Sequence, residues 1–501
     1  MTPLIMLAFV LGTTPADQWP APVEPIMLSV DLDVGESADV ILRDGSKATI
    51  KLLDLHETRD DLRGAVRSAI ATVEVNGQRA TLPAANYALP TVAGGLQIDC
   101  AATKGLVRPD WNPWALDKDA RLRIWPAGAP WIRPGTFTYP VKQHWFVGET
   151  QMANEPCFVN ACDLPGLTAV YYHYGLDFGG AEGLTEVVAA TDGIVVSVRG
   201  KTIDSPDIPT VVQPRGDVVY LRDGRGWYYR YSHLHSIDPA IKLGGRVKMG
   251  QKLGLLGKEG SSGGWAHLHL DVSVPQPSGR YGVTDAYAFA WQAYRAKHPE
   301  ARLKAVARPH RIAWVGDEVS LDADRSWSAD GPKHIVRYDW TFSDGAKAEG
   351  PVVKRRYDRP GEYSEILQVT DADGRVDYDF AVVVVYDRKQ PKVVSPTIHA
   401  VYWPSGKIAA GGEVTFMVRS FAFSPEEGCE RWDFGDGSPA AESRSMPVEV
   451  KPNGSRLHQH DENGYVPVKH RFAKPGDYIV SVSRTNNRGE TATARLHVHV
   501  E

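Results

Sequence analysis

From about Pro22 to Trp125 apolar and polar residues alternate in short runs, such as Ala38-Asp-Val-Ile-Leu42, Ala48-Thr-Ile-Lys-Leu52 and Ala71-Thr-Val-Glu-Val75. A period of two puts every second side chain on one face, which is the signature of a half-buried strand. The Asp44-Gly45 and Asn76-Gly77 pairs between the runs supply the positive φ that tight hairpins need. A small β domain over residues 20–130 is predicted, with the polar stretch His56 to Ser68 as the one place where a helical turn fits. Over residues 131–300 the runs Val187-Val-Ala-Ala190, Gly193-Ile-Val-Val-Ser-Val198, Asp217-Val-Val-Tyr-Leu221, Trp227-Tyr-Tyr-Arg-Tyr231 and Leu268-His-Leu-Asp-Val272 are each bounded by Gly, Asp or Pro. They predict a mostly antiparallel β domain. The Ala-rich stretch that begins at Asp285 reads as a closing helix that stops before Pro299.

The rest of the chain repeats itself. Asp339-Trp-Thr-Phe-Ser-Asp-Gly345 matches Trp432-Asp-Phe-Gly-Asp-Gly437, and each is followed by a Pro-Gly-x-Tyr turn, Pro360–Tyr363 and Pro475–Tyr478, that leads into a strand. These copies resemble PKD domains, and the resemblance implies two immunoglobulin-like β-sandwiches at 301–390 and 391–501. Extra residues between Ser438 and Lys469 depart from the compact form of the repeat. The fold class is therefore all-β and multidomain, which suits a 501-residue chain at roughly 150 residues per domain.

A formal net charge of -5 leaves no basic excess to hold nucleic acid or an anionic membrane surface. Residues 1–16 hold a short apolar run, Leu4 to Leu11, followed by Thr14 and Ala16, and read as a signal peptide for a secreted, periplasmic or surface product. No other segment reaches the ~20 apolar residues of a membrane span. In such a compartment Cys157 and Cys162 can clip the loop that contains them, while Cys100 and Cys429 fall in different domains and read as unpaired thiols.

Chemistry concentrates in four histidines and one aspartate: His173xxxAsp177, Tyr231-Ser-His233-Leu and His267-Leu-His269. Two imidazoles and a carboxylate leave a tetrahedral zinc ion one open position for water, and two histidines remain for proton handling. The HxH spacing alone is weak, since the chain holds four: His233/His235, His267/His269, His458/His460 and His497/His499. Strand residues two apart share a face whether or not a metal is bound, so a solvated face is expected for His497/His499 and a flexible loop for His458/His460. Ordered company sets His267/His269 apart.

His173-Tyr-Gly-Leu-Asp177-Phe, Thr185 to Val195, Tyr231-Ser-His-Leu234, Val247 to Gly257 and His267-Leu-His-Leu270 stand in the order of the lysostaphin-type zinc endopeptidases, which cleave peptide bonds in peptidoglycan. The chain resembles that family from about Pro140 to Val274. The resemblance implies a domain of the duplicated hybrid motif type with one Zn²⁺ per chain on His173, Asp177 and His269. It further implies that His267 acts as base and His233 as oxyanion stabiliser, with sharing of the two roles left open. His235 stands where that family has a small polar residue and is expected in solvent. Gly263-Gly-Trp-Ala266 replaces the family's shorter approach to the HLH element, and the loop Gln143 to Ala169 is expected to form a groove wall.

The expected function is a secreted zinc metalloendopeptidase acting on stem or cross-bridge peptides of peptidoglycan, with the PKD-like domains as spacers or anchors. The alternatives are a noncatalytic wall-binding or adhesion protein and a zinc endopeptidase that acts on proteins. The sequence sets no subunit number.

Overall fold

The computed structural model describes residues 19–62, 64–85, 87–146, 158–159, 170–451 and 455–501. The proposed signal peptide, the Cys157/Cys162 pair and most of the loop from Gln143 to Ala169 lie outside the described residues.

Alternation in the N-terminal part becomes two four-stranded antiparallel sheets. Leu28–Leu32, Ala120–Pro126, Leu96–Thr103 and Thr91–Ala93 form one, and Ser37–Ile41, Lys47–Arg59, Val66–Val75 and Gln78–Pro83 the other. Leu52, Val73, Ile98, Leu122 and Ile124 are buried between them. Between His56 and Ser68 the described residues hold no helix beyond a single turn closed by the Gly64 N–H on the Asp60 carbonyl (2.9 Å), and up to that turn the hairpin of Lys47–Arg59 with Val66–Val75 stays extended and paired, as far as Arg59 opposite Val66. Cross-strand hydrogen bonding there outweighs the helical leaning of a polar stretch.

The central part holds an eight-stranded antiparallel sheet. Its main path runs Leu176–Gly179, His267–Pro275, Tyr228–Ser232, Val219–Arg222, Gly193–Val198 and Lys201–Thr202. A three-stranded sheet of Glu186–Val188, Lys252–Leu256 and Leu234–Ile237 lies beside it. Leu268, Leu270 and Val272 alternate with His267, His269 and Asp271 along one strand, yet all six are buried, because both faces of that strand are covered. The helix Tyr287–Lys297 is the only α-helix among the described residues, and its apolar side chains join the same core. Arg123 of the N-terminal part, paired with Asp99, donates to Thr284 Oγ1 (3.1 Å) just before this helix. The helix also meets the first C-terminal sandwich, where Trp291 packs edge-on to Trp327 (5.2 Å).

In the C-terminal part Trp340 and Trp432 are the fully buried counterparts of the sequence repeat. The Pro-Gly-x-Tyr turns are equivalent in detail: Tyr363 Oη donates to the Arg359 carbonyl and Tyr478 Oη to the Lys474 carbonyl, both at 2.9 Å and both four residues upstream. One nine-stranded sheet runs through both sandwiches. The seam is a parallel pairing of Gly361–Asp371 with Thr491–Val500, in which Gly361 faces Thr491 and Glu362 faces Ala492. The second sandwich also returns to the central part, packing Tyr402 against Trp145 (4.8 Å).

Candidate active site

Strand register assembles the site. Leu176–Gly179 pairs antiparallel with His267–Pro275 so that Asp177 faces His269 and Gly179 faces His267. Directly opposed residues share a sheet face with their Cβ atoms close together, so the carboxylate and an imidazole are neighbours by construction. His173 is returned to the same spot by a turn at Gly175, where φ is +114°. A Cβ there would lie 2.8 Å from the Leu270 carbonyl oxygen and 3.2 Å from His269 Cε1, so only glycine fits. On the other flank Ser232 pairs with His269, and the next residue, His233, takes φ +66°. That left-handed conformation is uncommon for a side-chain-bearing residue. It carries the chain from the eight-stranded sheet into Leu234–Ile237 of the smaller one and aims the His233 ring inward, with its backbone N–H donating to Asp217 Oδ2 (3.0 Å).

Three ligand atoms converge. His173 Nε2 lies 2.9 Å from His269 Nδ1 and 3.1 Å from Asp177 Oδ1, and His269 Nδ1 lies 2.9 Å from Asp177 Oδ1. A tetrahedral ion with bonds near 2.0–2.1 Å separates its ligands by roughly 3.4 Å, so only a small outward adjustment admits one. Two imidazole nitrogens and a carboxylate oxygen facing one point in a buried setting form a donor set that suits a divalent cation of borderline softness. The electrostatics agree. Burial alone would raise the Asp177 carboxyl, yet the neighbouring His173 and His267 and the hydrogen bonds from His173 and His269 hold it well below the usual range. Burial likewise opposes charge on His269, but Asp177 and Asp271 outweigh it and hold its pKa up. A place that favours a proton this way also favours a metal ion, and the two compete.

Surrounding groups orient these side chains. Asp271, two residues beyond His269 on the same face, puts Oδ2 3.5 Å from His269 Nε2, and Arg230 Nη1 lies 3.4 Å from that oxygen and 3.1 Å from Tyr174 Oη. His233 Nδ1 is 2.6 Å from the Glu259 carbonyl and His267 Nδ1 is 3.1 Å from the Trp265 carbonyl. A carbonyl only accepts, so each Nδ1 carries the hydrogen and each Nε2 keeps its lone pair. His267 Nε2 is 3.6 Å from Asp177 Oδ1. Burial pushes the His267 pKa down to about 4, against the pull of Asp177, and burial with the nearby His267 and His269 pushes His233 well below its ordinary value. Both rings are neutral acceptors at neutral pH.

Comparison with known proteins places these residues within a known domain family. The model of "Peptidase family M23" matches residues 171–279, and two PKD domain models match 301–385 and 399–500. Residues 171–279 are an M23 peptidase domain. The chain is also 30% identical over 213 residues to "Collagenase ColA" of Clostridium perfringens (strain 13 / Type A), a match that covers 40% of this chain and 19% of that protein. It thus spans about a fifth of that curated relative's length. Among solved structures, Helicobacter pylori Csd3 is 17% identical with a TM-score of 0.21, covering 48% of this chain and 58% of that one. The Clostridium thermocellum CbhA fibronectin(III)-like modules are 14% identical with a TM-score of 0.15, covering 40% and 94%. Likenesses that low carry no argument.

All five residues singled out in the sequence lie within the matched residues 171–279 and come together there. His235 is half exposed and lies 3.8 Å from Glu182, whose carboxylate is already held by the buried Lys258 ammonium. His499 is exposed and His497 partly so, in keeping with a solvated face, and both reach Asp477 Oδ1 at 2.8 Å. The segment around His458 is pinned, since Arg419 donates to the His458 and Gln459 carbonyls. Cys100 and Cys429 are unpaired. Asp271 went unnoticed in the sequence although the period-two rule that groups His267 with His269 also includes it. No helix among the described residues is long and apolar enough to cross a membrane.

Proposed function

We propose that the M23 domain is a zinc metalloendopeptidase whose substrates are short glycine- or D-amino-acid-containing peptides of bacterial cell wall. The observation that carries the reading is the convergence of His173, Asp177 and His269 beside two neutral imidazoles. Zinc held by those three residues would supply Lewis acidity, making a water acidic and polarising the scissile carbonyl. The chain's own part is proton handling. His267 Nε2 accepts the proton of the attacking water and passes it to the leaving amine nitrogen as the peptide C–N bond breaks, while His233, whose Nδ1–H is committed to the Glu259 carbonyl, offers a second Nε2 beside it that can take the water's proton instead. A ring that has gained one becomes a donor to the oxyanion, so base and oxyanion stabiliser are successive states of the same kind of group.

The PKD domains and the relative named a collagenase support residence outside the cytoplasm. That relative also favours a second reading, the same zinc chemistry directed at proteins. The deciding experiment is mass spectrometry of soluble products from purified sacculi and, in parallel, from collagen and casein, with and without a chelator. Wall peptides released only in the metal-loaded wild type and not by His269→Ala are expected. Release that survives both treatments, or cleavage of proteins alone, overturns the wall-peptide reading.

A further inference from the structure

The loop that leads into the HLH strand is gripped by the far end of the chain. Arg419 Nη1 donates to the Gly264 carbonyl (2.8 Å), and Trp265 packs in a small buried cluster with Phe421 and Val448. The fit is close: a Cβ on Gly264 would lie 2.8 Å from Val448 Cγ2 and 3.1 Å from Gln459 Cα. The Trp265 indole stacks on the His267 ring, with centroids 3.8 Å apart and planes 14° apart.

One peptide unit links this grip to the chemistry. The carbonyl of Trp265 accepts the His267 Nδ1–H, and the N–H at the other end of the same planar unit, on Ala266, donates to Tyr465 Oη at 2.9 Å. The same Tyr465 hydroxyl is hydrogen-bonded to Nδ1 of the fully buried His399, 2.6 Å away. Tilting the Trp265–Ala266 plane would break both bonds and release the His267 ring to the other tautomer. Tyr465 and Val448 lie in the stretch between Ser438 and Lys469 that sets this repeat apart from the compact PKD pattern.

We propose that the second PKD domain is a structural part of the peptidase centre, in which Tyr465, backed by His399, is a positioning residue that locks the Trp265–Ala266 peptide and thereby the tautomer and direction of His267. The proposal rests on the reading of His267 as proton acceptor.

The test uses the full chain and three variants, Tyr465→Phe, His399→Leu and His399→Asn. The first two are expected to lower kcat for peptide hydrolysis by about 10- to 100-fold while KM and bound zinc stay put and the thermal midpoint falls by only the few degrees that one unmade buried hydrogen bond costs. His399→Asn, whose side-chain amide can replace Nδ1 as the hydrogen-bond partner of Tyr465, is expected to restore most of the loss. In metal-free protein, ¹⁵N-histidine NMR is expected to show His267 as a single Nδ1–H tautomer in the wild type and as a mixture in Tyr465→Phe. An unaltered His267 signal in Tyr465→Phe overturns the proposal whatever the activity, and so does a kcat loss matched by an equal loss of bound zinc. A tautomer shift in a protein that hydrolyses nothing would sink the proteolytic reading and leave the linkage standing.

Discussion

The imidazole of His233 lies 4.6 Å, centre to centre, from that of His267, although one follows a central strand and the other begins its neighbour. Each gives its Nδ1–H to a backbone carbonyl and neither belongs to the convergent donor set. His233→Ala and His267→Ala are each expected to lower kcat by about 10²- to 10⁴-fold with metal content unchanged. The double variant should lose little more than the worse single one, because groups that act as a unit are not additive. Steady-state kinetics with metal analysis checks this, and loss of metal in either single variant would contradict it.

Asp271 holds the ligand ring from behind. Replacing it with alanine is expected to weaken metal affinity by about 10- to 100-fold, read by competition with a chromogenic chelator. Activity at saturating metal should fall less than affinity does.

Gly175→Ala tests the turn that returns His173. At φ +114° with backbone 2.8 Å away, the added methyl forces a shift, with strain of about 1–3 kcal/mol. The expected result is a lower thermal midpoint together with weaker metal retention. Gly437→Ala, also at positive φ but with open space around the new methyl, should leave metal binding intact.

Burial depresses the pKa of His399 to about 3, with the nearby His267 adding to the effect. Above about pH 6.5 the group is neutral folded and unfolded, and pH has no effect through it. As pH falls from about 6.5 toward 3 the unfolded chain alone binds the proton, so stability drops by up to about 1.4 kcal/mol per pH unit. His267, held near 4, adds to the drop in metal-free protein, while Asp285, raised to about 6 by burial, works the other way. The measured quantity is therefore a difference: His399→Asn should lose less stability than wild type between pH 7 and pH 4. Parallel curves would refute the assignment.

Arg484 and Glu430 form an ion pair at 2.9 Å with both side chains fully buried. Arg484→Met leaves the carboxylate buried with only Ser420 and the Ser443–Ser445 stretch around it, and is expected to cost about 3–5 kcal/mol in chemical denaturation.

Much of this was legible in residue order. The strands follow alternation, the two sandwiches follow the Trp and Pro-Gly-x-Tyr repeat, and the candidate residues His173, Asp177, His267 and His269 stand at short, fixed spacings because a tight turn and a strand pair bring them together. Asp271 was legible on the same principle. The contacts that bind Tyr465 to Ala266 were not, because they join stretches almost two hundred residues apart and depend on how one sandwich packs, which no local periodicity encodes. The seam between sandwiches was hidden for the same reason, since each repeat looks complete by itself.

That seam changes how the tail can be handled. With Gly361 and Glu362 bonded to the last strand, and the buried Glu362 carboxylate accepting the Ile398 N–H across the junction, the two repeats are not beads on a string to be trimmed or swapped singly. A cut between them would strip a strand of its neighbour and put an uncovered edge in water, inviting other chains to add to it.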